Sequence, residues 1–200
     1  MNFDFTDELR AHITANLAAL EPTLREPGGL RHAAVGVVLL PDSAGRACFV
    51  LTRRLATLRR HSGQWALPGG RLDVGEVPAT AALREIHEEV GLDLPADAVL
   101  GRLDDFVSRS GHLISPLVVW AAEHAGLVAS PDEVRAVYRV PLEELDHPGS
   151  LSLEPLLHFA LMDTTVYAPT AAILYQFREV GLRGRDVHFG HIEQPFFAWQ

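Results

Sequence analysis

The segment from Pro78 to Gly91 is the feature of the sequence that most constrains its fold. Apolar residues recur there at helical spacing, a proline suits the first turn, and Gly91 suits a left-handed helix end. We therefore predict a helix over Pro78 to Val90 that packs one side on a core. The apolar stripe on that side consists of Ala79, Ala82, Leu83, Ile86 and Val90.

The opposite side of this predicted helix carries three carboxylates, Glu85, Glu88 and Glu89. At about 100° per residue, Glu85 and Glu89 project about 40° apart, and Glu88 lies on the same side. We expect the three side chains to share one exposed face. Arg84 relieves part of their repulsion by pairing with Glu88 four residues on. Because Mg²⁺ and Mn²⁺ prefer carboxylate oxygens, the face is a candidate site for either metal, and a solvated acidic face is the alternative.

The flanking residues extend the helix into a longer pattern, which resembles the Nudix box, G-x5-E-x7-R-E-U-x-E-E-x-G-U with U a bulky aliphatic residue. Every defined position of the box is matched, so the resemblance is highly specific. The matching residues are Gly70, Glu76, Arg84, Glu85, Ile86, Glu88, Glu89, Gly91 and Leu92. The resemblance implies an α/β fold, the Nudix α/β/α sandwich with a mixed sheet. It also implies a metal-dependent hydrolase that cuts a diphosphate linkage in a nucleotide derivative.

The same resemblance implies roles for individual residues. The implied metal ligands are Glu85, Glu88 and Glu89, with the carbonyl of Gly69. Glu76 would reach back to Arg84 and hold the loop against the helix. The implied catalytic residues are therefore Glu76, Arg84 and the three glutamates of the helix. Gly69 and Gly70 would allow the backbone to approach phosphate and metal.

The group that takes the proton of the attacking water stays open at this point. It is either one of the box glutamates or an acid outside the box. Asp132 and Glu133 are the outside candidates, because the loop before the final helix supplies such acids in several Nudix relatives.

The stretch from Val50 to Gly70 resembles a narrower motif, L-L-T-x-R-S-x3-R-x3-G-x3-F-P-G-G, found in coenzyme A diphosphatases of the Nudix superfamily. The matching residues are Leu51, Thr52, Arg54, Arg59, Gly63, Pro68, Gly69 and Gly70. Val50, Leu55 and Leu67 depart from the motif. The implied substrate is coenzyme A or acyl-coenzyme A, bound by Arg54, Arg59, Gly69 and Gly70. Arginine forks suit this role because they bind phosphate oxygens in pairs.

Two other functions stay open beside this one. The first is the hydrolysis of ADP-ribose or another nucleoside diphosphate derivative. The second belongs to another class, a catalytically silent Nudix-like module that senses a nucleotide. Such modules usually have eroded box glutamates, whereas all three are present here.

The rest of the chain is predicted to build one domain. We expect an N-terminal helix and connector at 1–30, the Nudix hydrolase domain at 31–184 and a C-terminal tail at 185–200. The predicted helices cover Thr6 to Leu20, Pro78 to Val90 and Thr170 to Val180. The predicted strands cover Ala33 to Leu40, Ala47 to Thr52, Val99 to Val107 and Leu113 to Ala121. The pattern of Pro131 to Tyr138 is ambiguous.

The formal net charge of −9 over 200 residues bears on the partners. Nucleic acids and anionic membranes are bound mainly through cations, so we expect neither, and a small nucleotide substrate instead. The single cysteine, Cys48, is predicted to be a small core residue. No stretch approaches the ~18 apolar residues of a membrane span, and the first residues carry acids early, so we expect no secretory signal and a cytoplasmic protein. The sequence is compatible with a homodimer as well as a monomer.

Overall fold

The computed structural model describes residues 2–55, 64–121, 126–152, 157–162 and 164–188. Its helices are α1 (Asp7–Ala19), α2 (Pro78–Val90), α3 (Glu143–Asp146) and α4 (Thr170–Gln176), with a π-helical turn at Phe177–Leu182. Its strands are β1 (Arg31–Pro41), β2 (Ala47–Arg54), β3 (Trp65–Ala66), β4 (Gly69–Arg71), β5 (Val99–Arg102), β6 (Phe106–Ser108), β7 (His112–Trp120), β8 (Val134–Pro141), β9 (Leu151–Ser152), β10 (His158–Leu161) and β11 (Thr164–Tyr167). Within these residues, no helix is long and apolar enough to cross a membrane.

Eight of the strands form one mixed sheet. Its central path runs β3-β2-β1-β7-β5, while β4 pairs with β1, β6 with β7 and β8 with β2. Strands β1 and β7 are parallel, from Arg31 opposite His112 to Leu39 opposite Trp120, and the other pairs are antiparallel. The strands β9, β10 and β11 make a separate antiparallel sheet. The mixed sheet expected from the sequence is confirmed.

Helices cover both faces of the main sheet, which confirms the expected α/β/α sandwich. Helix α2 packs on one face through Ala81, Ala82, Ile86 and Val90. Helices α1 and α4 and the π-helical turn share a second core on the other face. Burial of a large aliphatic side chain such as Ile86 stabilises the fold by about 1.5–3 kcal/mol. These cores therefore fix α2, and with it the box glutamates, relative to the sheet.

The N-terminal helix α1 packs into the second core. The N-cap residue is Thr6, whose side chain accepts a hydrogen bond from the Leu9 N–H. At the far side, the Asn16 side chain donates to the carbonyl of Gly181 at 3.0 Å. Phe5, just before the helix, stacks on Trp120 with ring centroids 3.9 Å apart. The helix thus shares a core with the sheet, and the division of the chain at residues 30 and 184 stays a prediction.

The single strand predicted over Val99 to Val107 is wrong, because the chain breaks the ladder between β5 and β6. Asp104 and Asp105 occupy the break, and both are buried. Asp104 accepts from the Thr23 N–H at 2.7 Å, and Asp105 accepts from the Arg25 N–H at 2.8 Å. Buried carboxylates need such donors, so the break ties the proline-containing connector before β1 to the edge of the sheet.

Two further segments differ in detail from the sequence expectation. The ambiguous segment is resolved as β8, which pairs with β2 from Val134 to Pro141. The last helix is regular only from Thr170 to Gln176, and the π-helical turn carries it past Val180. Glu179 in this turn is buried and accepts hydrogen bonds from three arginines. These are Arg178, Arg183 and Arg185, each at 2.8 Å.

Candidate functional site

Helix α2 positions the three box glutamates on a flank that is only partly exposed. The helix ends at Gly91, whose φ of +76° is the left-handed conformation expected there. The side chain of Glu88 is 55% exposed, but that of Glu85 is only 14% exposed and that of Glu89 only 2%. The expectation of one exposed carboxylate face is therefore wrong for Glu85 and Glu89. The physical reason is that strand β4 lies against this flank.

Two glycines allow β4 to approach α2 so closely. A Cβ at Gly70 would lie 2.3 Å from the carboxyl carbon of Glu85, so any side chain there would displace the carboxylate. Gly69 has a φ of +153°, and a Cβ there would lie 2.3 Å from the carbonyl oxygen of Ala34. The Gly69 N–H instead donates to Oε2 of Glu89 at 3.1 Å. The two glycines thus allow β4 to contact the carboxylates of α2.

Glu89 is the most perturbed acid of the site. Burial raises the pKa of Glu89 to about 7, although Arg54 and the Gly69 N–H both favour its anion. The neighbouring charges of Glu85 and Glu133 raise this pKa further. Burial also raises the pKa of Glu85, against the influence of Arg84. A cation among these carboxylates would therefore be strongly stabilising.

Arg54 is the cation that contacts Glu89. Its Nη1 lies 3.1 Å from Oε1 of Glu89, and its Nη2 lies 3.7 Å from Oε2 of Glu133. The sheet brings these residues together, because Arg54 stands opposite Val134 in the β2–β8 ladder and the Leu55 N–H donates to the Glu133 carbonyl. Of the two acids proposed outside the box, Glu133 therefore lies beside the cluster, and the exposed Asp132 precedes it in the loop.

Arg84 contacts the other carboxylates of the site. It binds Glu76 through two contacts, from Nε at 3.1 Å and from Nη2 at 3.0 Å. Its Nη1 also donates to Glu85 at 2.8 Å and to Glu88 at 3.2 Å. The Arg84 guanidinium lowers the pKa of Glu76. The contacts of Arg84 with Glu76 and with Glu88 predicted from the sequence are present, and they hold the loop before α2 against the helix.

The two arginines occupy the carboxylates that would hold a metal ion. Among the described residues, no three aspartate, glutamate, histidine or cysteine side chains stand in an arrangement that could hold a metal ion, and Glu89 and Glu76 are paired with Arg54 and Arg84. The chemistry of the donors nevertheless suits a hard divalent cation, because they are all oxygens and one of them is buried and needs a positive charge. The Gly69 carbonyl as a ligand stays a prediction.

The remaining sequence candidates fall elsewhere. Arg59, a substrate-binding candidate, lies outside the described residues. Cys48 is buried in β2, and burial raises the pKa of its thiol to about 11, so its predicted packing role fits. His188 contacts the buried carboxylate of Asp104 at 2.9 Å, where it helps to satisfy that charge.

Sequence reasoning missed the pairing of Arg54 with Glu89. The signal was present, because side chains two apart along a strand lie on one face. Val50 packs in the α2 core, so a strand continued to Arg54 brings the arginine to the helix side. The predicted strand stopped at Thr52, two residues short of Arg54.

The chain is similar in sequence to proteins of one family. The family model of the NUDIX domain matches residues 30–158. Nudix hydrolase 3 of Caenorhabditis elegans is 30% identical over 153 residues, which are 74% of this chain and 64% of that protein. The uncharacterized Nudix hydrolase NudL of Photorhabdus laumondii is 41% identical over 125 residues, 62% of this chain and 65% of that protein. The chain thus spans a little under two thirds of the length of these relatives.

Solved structures share the fold at low sequence identity. A MutT/nudix family protein from Enterococcus faecalis superposes with a TM-score of 0.57 at 20% identity, covering 80% of this chain and 66% of that one. The Nudix hydrolase RenU from M. smegmatis superposes with a TM-score of 0.52 at 23% identity, covering 79% and 89%. The fold is therefore shared, and because the family model matches more than half of the chain, with the complete box inside it, the protein belongs to the Nudix family.

Proposed function

We propose that the protein hydrolyses a diphosphate linkage in a nucleotide derivative with the help of Mg²⁺ or Mn²⁺. The observation that carries the proposal is the buried carboxylate of Glu89, which lies among other acids on a helix fixed to the sheet. Oxygen donors of this kind hold hard divalent cations. The Nudix family and the complete box support the same activity.

The proposed metal ligands are Gly69, Glu85, Glu88 and Glu89. When bound, the metal would neutralise the diphosphate and lower the pKa of the attacking water. Arg84 and Glu76 would position the metal ligands, because their paired contacts hold the loop and the helix in one geometry. Arg54 stands beside the cluster and would offer its guanidinium to a phosphate oxygen.

The proton acceptor is proposed to be a box glutamate or Glu133. Geometry favours Glu133 over Asp132, because Glu133 reaches Arg54 and thereby the cluster around Glu89. Its side chain is also half exposed, so that water can reach it. Measuring the activity of Glu133→Gln distinguishes Glu133 from a box glutamate. The variant should be much less active than wild type only if Glu133 is the base.

The proposed substrate is coenzyme A or acyl-coenzyme A, cleaved at its diphosphate to adenosine 3′,5′-bisphosphate and a phosphopantetheine product. The motif from Val50 to Gly70 supports this, with Arg54 and Arg59 as the phosphate-binding arginines. ADP-ribose or another nucleoside diphosphate derivative is the alternative, because Leu55 and Leu67 depart from that motif.

The experiment is a substrate screen of the metal-loaded protein with mass identification of the products. The panel contains coenzyme A, dephospho-coenzyme A, ADP-ribose, a dinucleoside polyphosphate and a nucleoside triphosphate. Brisk cleavage of coenzyme A at the diphosphate supports the proposal. Cleavage of ADP-ribose with intact coenzyme A contradicts the substrate but keeps the activity, and no cleavage of any compound contradicts both.

A further inference from the structure

We propose that Arg54 is a built-in counter-ion that holds the metal position at Glu89 and is displaced by the metal. Without a metal, its guanidinium neutralises the buried carboxylate. When a divalent cation binds, Arg54 leaves Glu89 and becomes free to bind an anionic substrate. This inference rests on the proposed metal dependence.

Glu89 is the residue whose charge has to be balanced in the metal-free protein. Its side chain is almost completely buried, and both carboxylate oxygens have partners. Oε2 accepts from the Gly69 N–H, and Oε1 accepts from Arg54. A buried carboxylate anion without a cation is strongly destabilising, so the ionised form of Glu89 needs a positive charge beside it. Arg54 supplies this charge from within the chain.

A metal ion and Arg54 would compete for Oε1 of Glu89. Divalent metals sit about 2.0–2.6 Å from their oxygen ligands. The Nη1 of Arg54 lies 3.1 Å from the same oxygen, so a metal there would stand within a few ångströms of the guanidinium. Two cations at such separation in a buried site repel strongly. Metal binding at Glu89 therefore requires Arg54 to move away.

Arg54 is held less firmly than Arg84. The second contact of Arg54 is a long one, 3.7 Å from Glu133, whose side chain is half exposed and screened by water. Arg84, in contrast, is held by the double contact to Glu76 and by a 2.9 Å hydrogen bond to the carbonyl of Arg71. Arg84 is thus fixed by its contacts, whereas Arg54 can be displaced.

The consequence is a coupling between metal and substrate. A guanidinium released from Glu89 regains its paired donors, which match the oxygens of a phosphate. The bound metal therefore raises the affinity of Arg54 for an anion. By thermodynamic linkage, an anion bound to Arg54 raises the affinity of the site for the metal by the same factor. Arg54 would bind substrate well only in the metal-loaded protein.

The test measures Mn²⁺ affinity by calorimetry on the full chain without nucleotide. Arg54→Met removes the competing charge and keeps most of the side-chain volume. Arg53→Met is the matched control, because Arg53 is the adjacent residue of β2 and its guanidinium lies over the Trp65 ring, 5.7 Å from the centroid. We expect Arg54→Met to bind Mn²⁺ about tenfold more tightly than wild type, and Arg53→Met to bind like wild type.

Arg54→Lys separates charge from shape. The lysine keeps a positive charge, so its Mn²⁺ affinity should stay within about threefold of wild type. Metal-free Arg54→Met should also melt at a lower temperature than wild type, because Glu89 loses its cation, and Mn²⁺ should raise its melting temperature by more than it raises that of wild type. If Arg54→Met folds only when Mn²⁺ is present, the inference is supported.

Several results would overturn the inference. Equal or weaker Mn²⁺ binding by Arg54→Met, with normal binding by wild type, would refute the displacement and leave the proposed function intact. Failure of Arg54→Met to fold even in saturating Mn²⁺ would also refute it, because the metal would then not replace the guanidinium. Absence of Mn²⁺ binding in wild type and in all three variants would refute the proposed function together with this inference.

Discussion

Replacing Glu89 by Gln should stabilise the metal-free protein while it destroys the metal site. Glutamine has the shape of the acid and can still accept from the Gly69 N–H, but it carries no charge to bury. Burial raises the pKa of Glu89 from 4.5 to about 7, even with Arg54 beside it. At 1.36 kcal/mol per pKa unit, the anion is less favourable in the fold than in water by about 3 kcal/mol.

This magnitude predicts the pH dependence of the difference. A carboxyl whose pKa is higher in the folded state stabilises the fold below pH 4.5 and loses that contribution as the pH rises through about 7. The free energy of unfolding of Glu89→Gln should therefore exceed that of wild type by about 1–3 kcal/mol at pH 8, and by much less at pH 5. The upper value is reduced because the amide is a poorer partner for Arg54.

The assay is urea unfolding in metal-free buffer at both pH values. Glu88→Gln is the matched control, because its carboxylate is 55% exposed and its loss should change the stability by less than about 0.5 kcal/mol. A loss of more than about 1 kcal/mol in Glu89→Gln at pH 8 would refute the reasoning, since it would mean that the ion pair with Arg54 outweighs the burial of the charge.

Three further variants test other parts of the site. Arg84→Ala should lose about 1–2 kcal/mol of stability with its contacts to Glu76, but a larger part of its activity, and urea unfolding with steady-state kinetics separates the two effects. Gly70→Ala should weaken Mn²⁺ binding at least tenfold in calorimetry, because the new Cβ would stand 2.3 Å from the carboxyl carbon of Glu85, and unchanged affinity would show that Glu85 is not a ligand. Arg54→Ala should lower kcat/KM for coenzyme A about ten- to hundredfold and that for dephospho-coenzyme A by less, if the arginine meets the 3′-phosphate, whereas equal losses for both would remove that role.

The parts of the fold that the sequence predicts well are those with local signals. Helix α2 has its predicted bounds because proline, the apolar stripe and Gly91 all lie within the helix or next to it. Strands β1 and β2 follow from two apolar runs with a turn between them. The contact of Arg84 with Glu88 also follows from helix spacing, whereas its contact with Glu76 follows from the resemblance to the Nudix box.

The burial of Glu89 could not be read from the helix. It depends on Gly69, which is 20 residues away in sequence and packs on α2 only after β4 has paired with β1. A helical wheel distinguishes an apolar side from a polar one, but it does not show what covers the polar side. The same limit explains the break at Asp104, since Thr23 lies 81 residues before it and His188 lies 84 residues after it.

The most direct test of the central claim is the turnover of wild type and Glu85→Gln with and without Mg²⁺, on the best substrate of the screen. Glu85 faces Gly70, is mostly buried and belongs to the proposed metal ligands. We expect wild type to be active only with the metal, and Glu85→Gln to remain folded and to lose about 100-fold or more of its kcat. Turnover of Glu85→Gln equal to that of wild type in the presence of Mg²⁺, or full wild-type turnover in a chelator, would contradict the claim that this helix carries the metal chemistry.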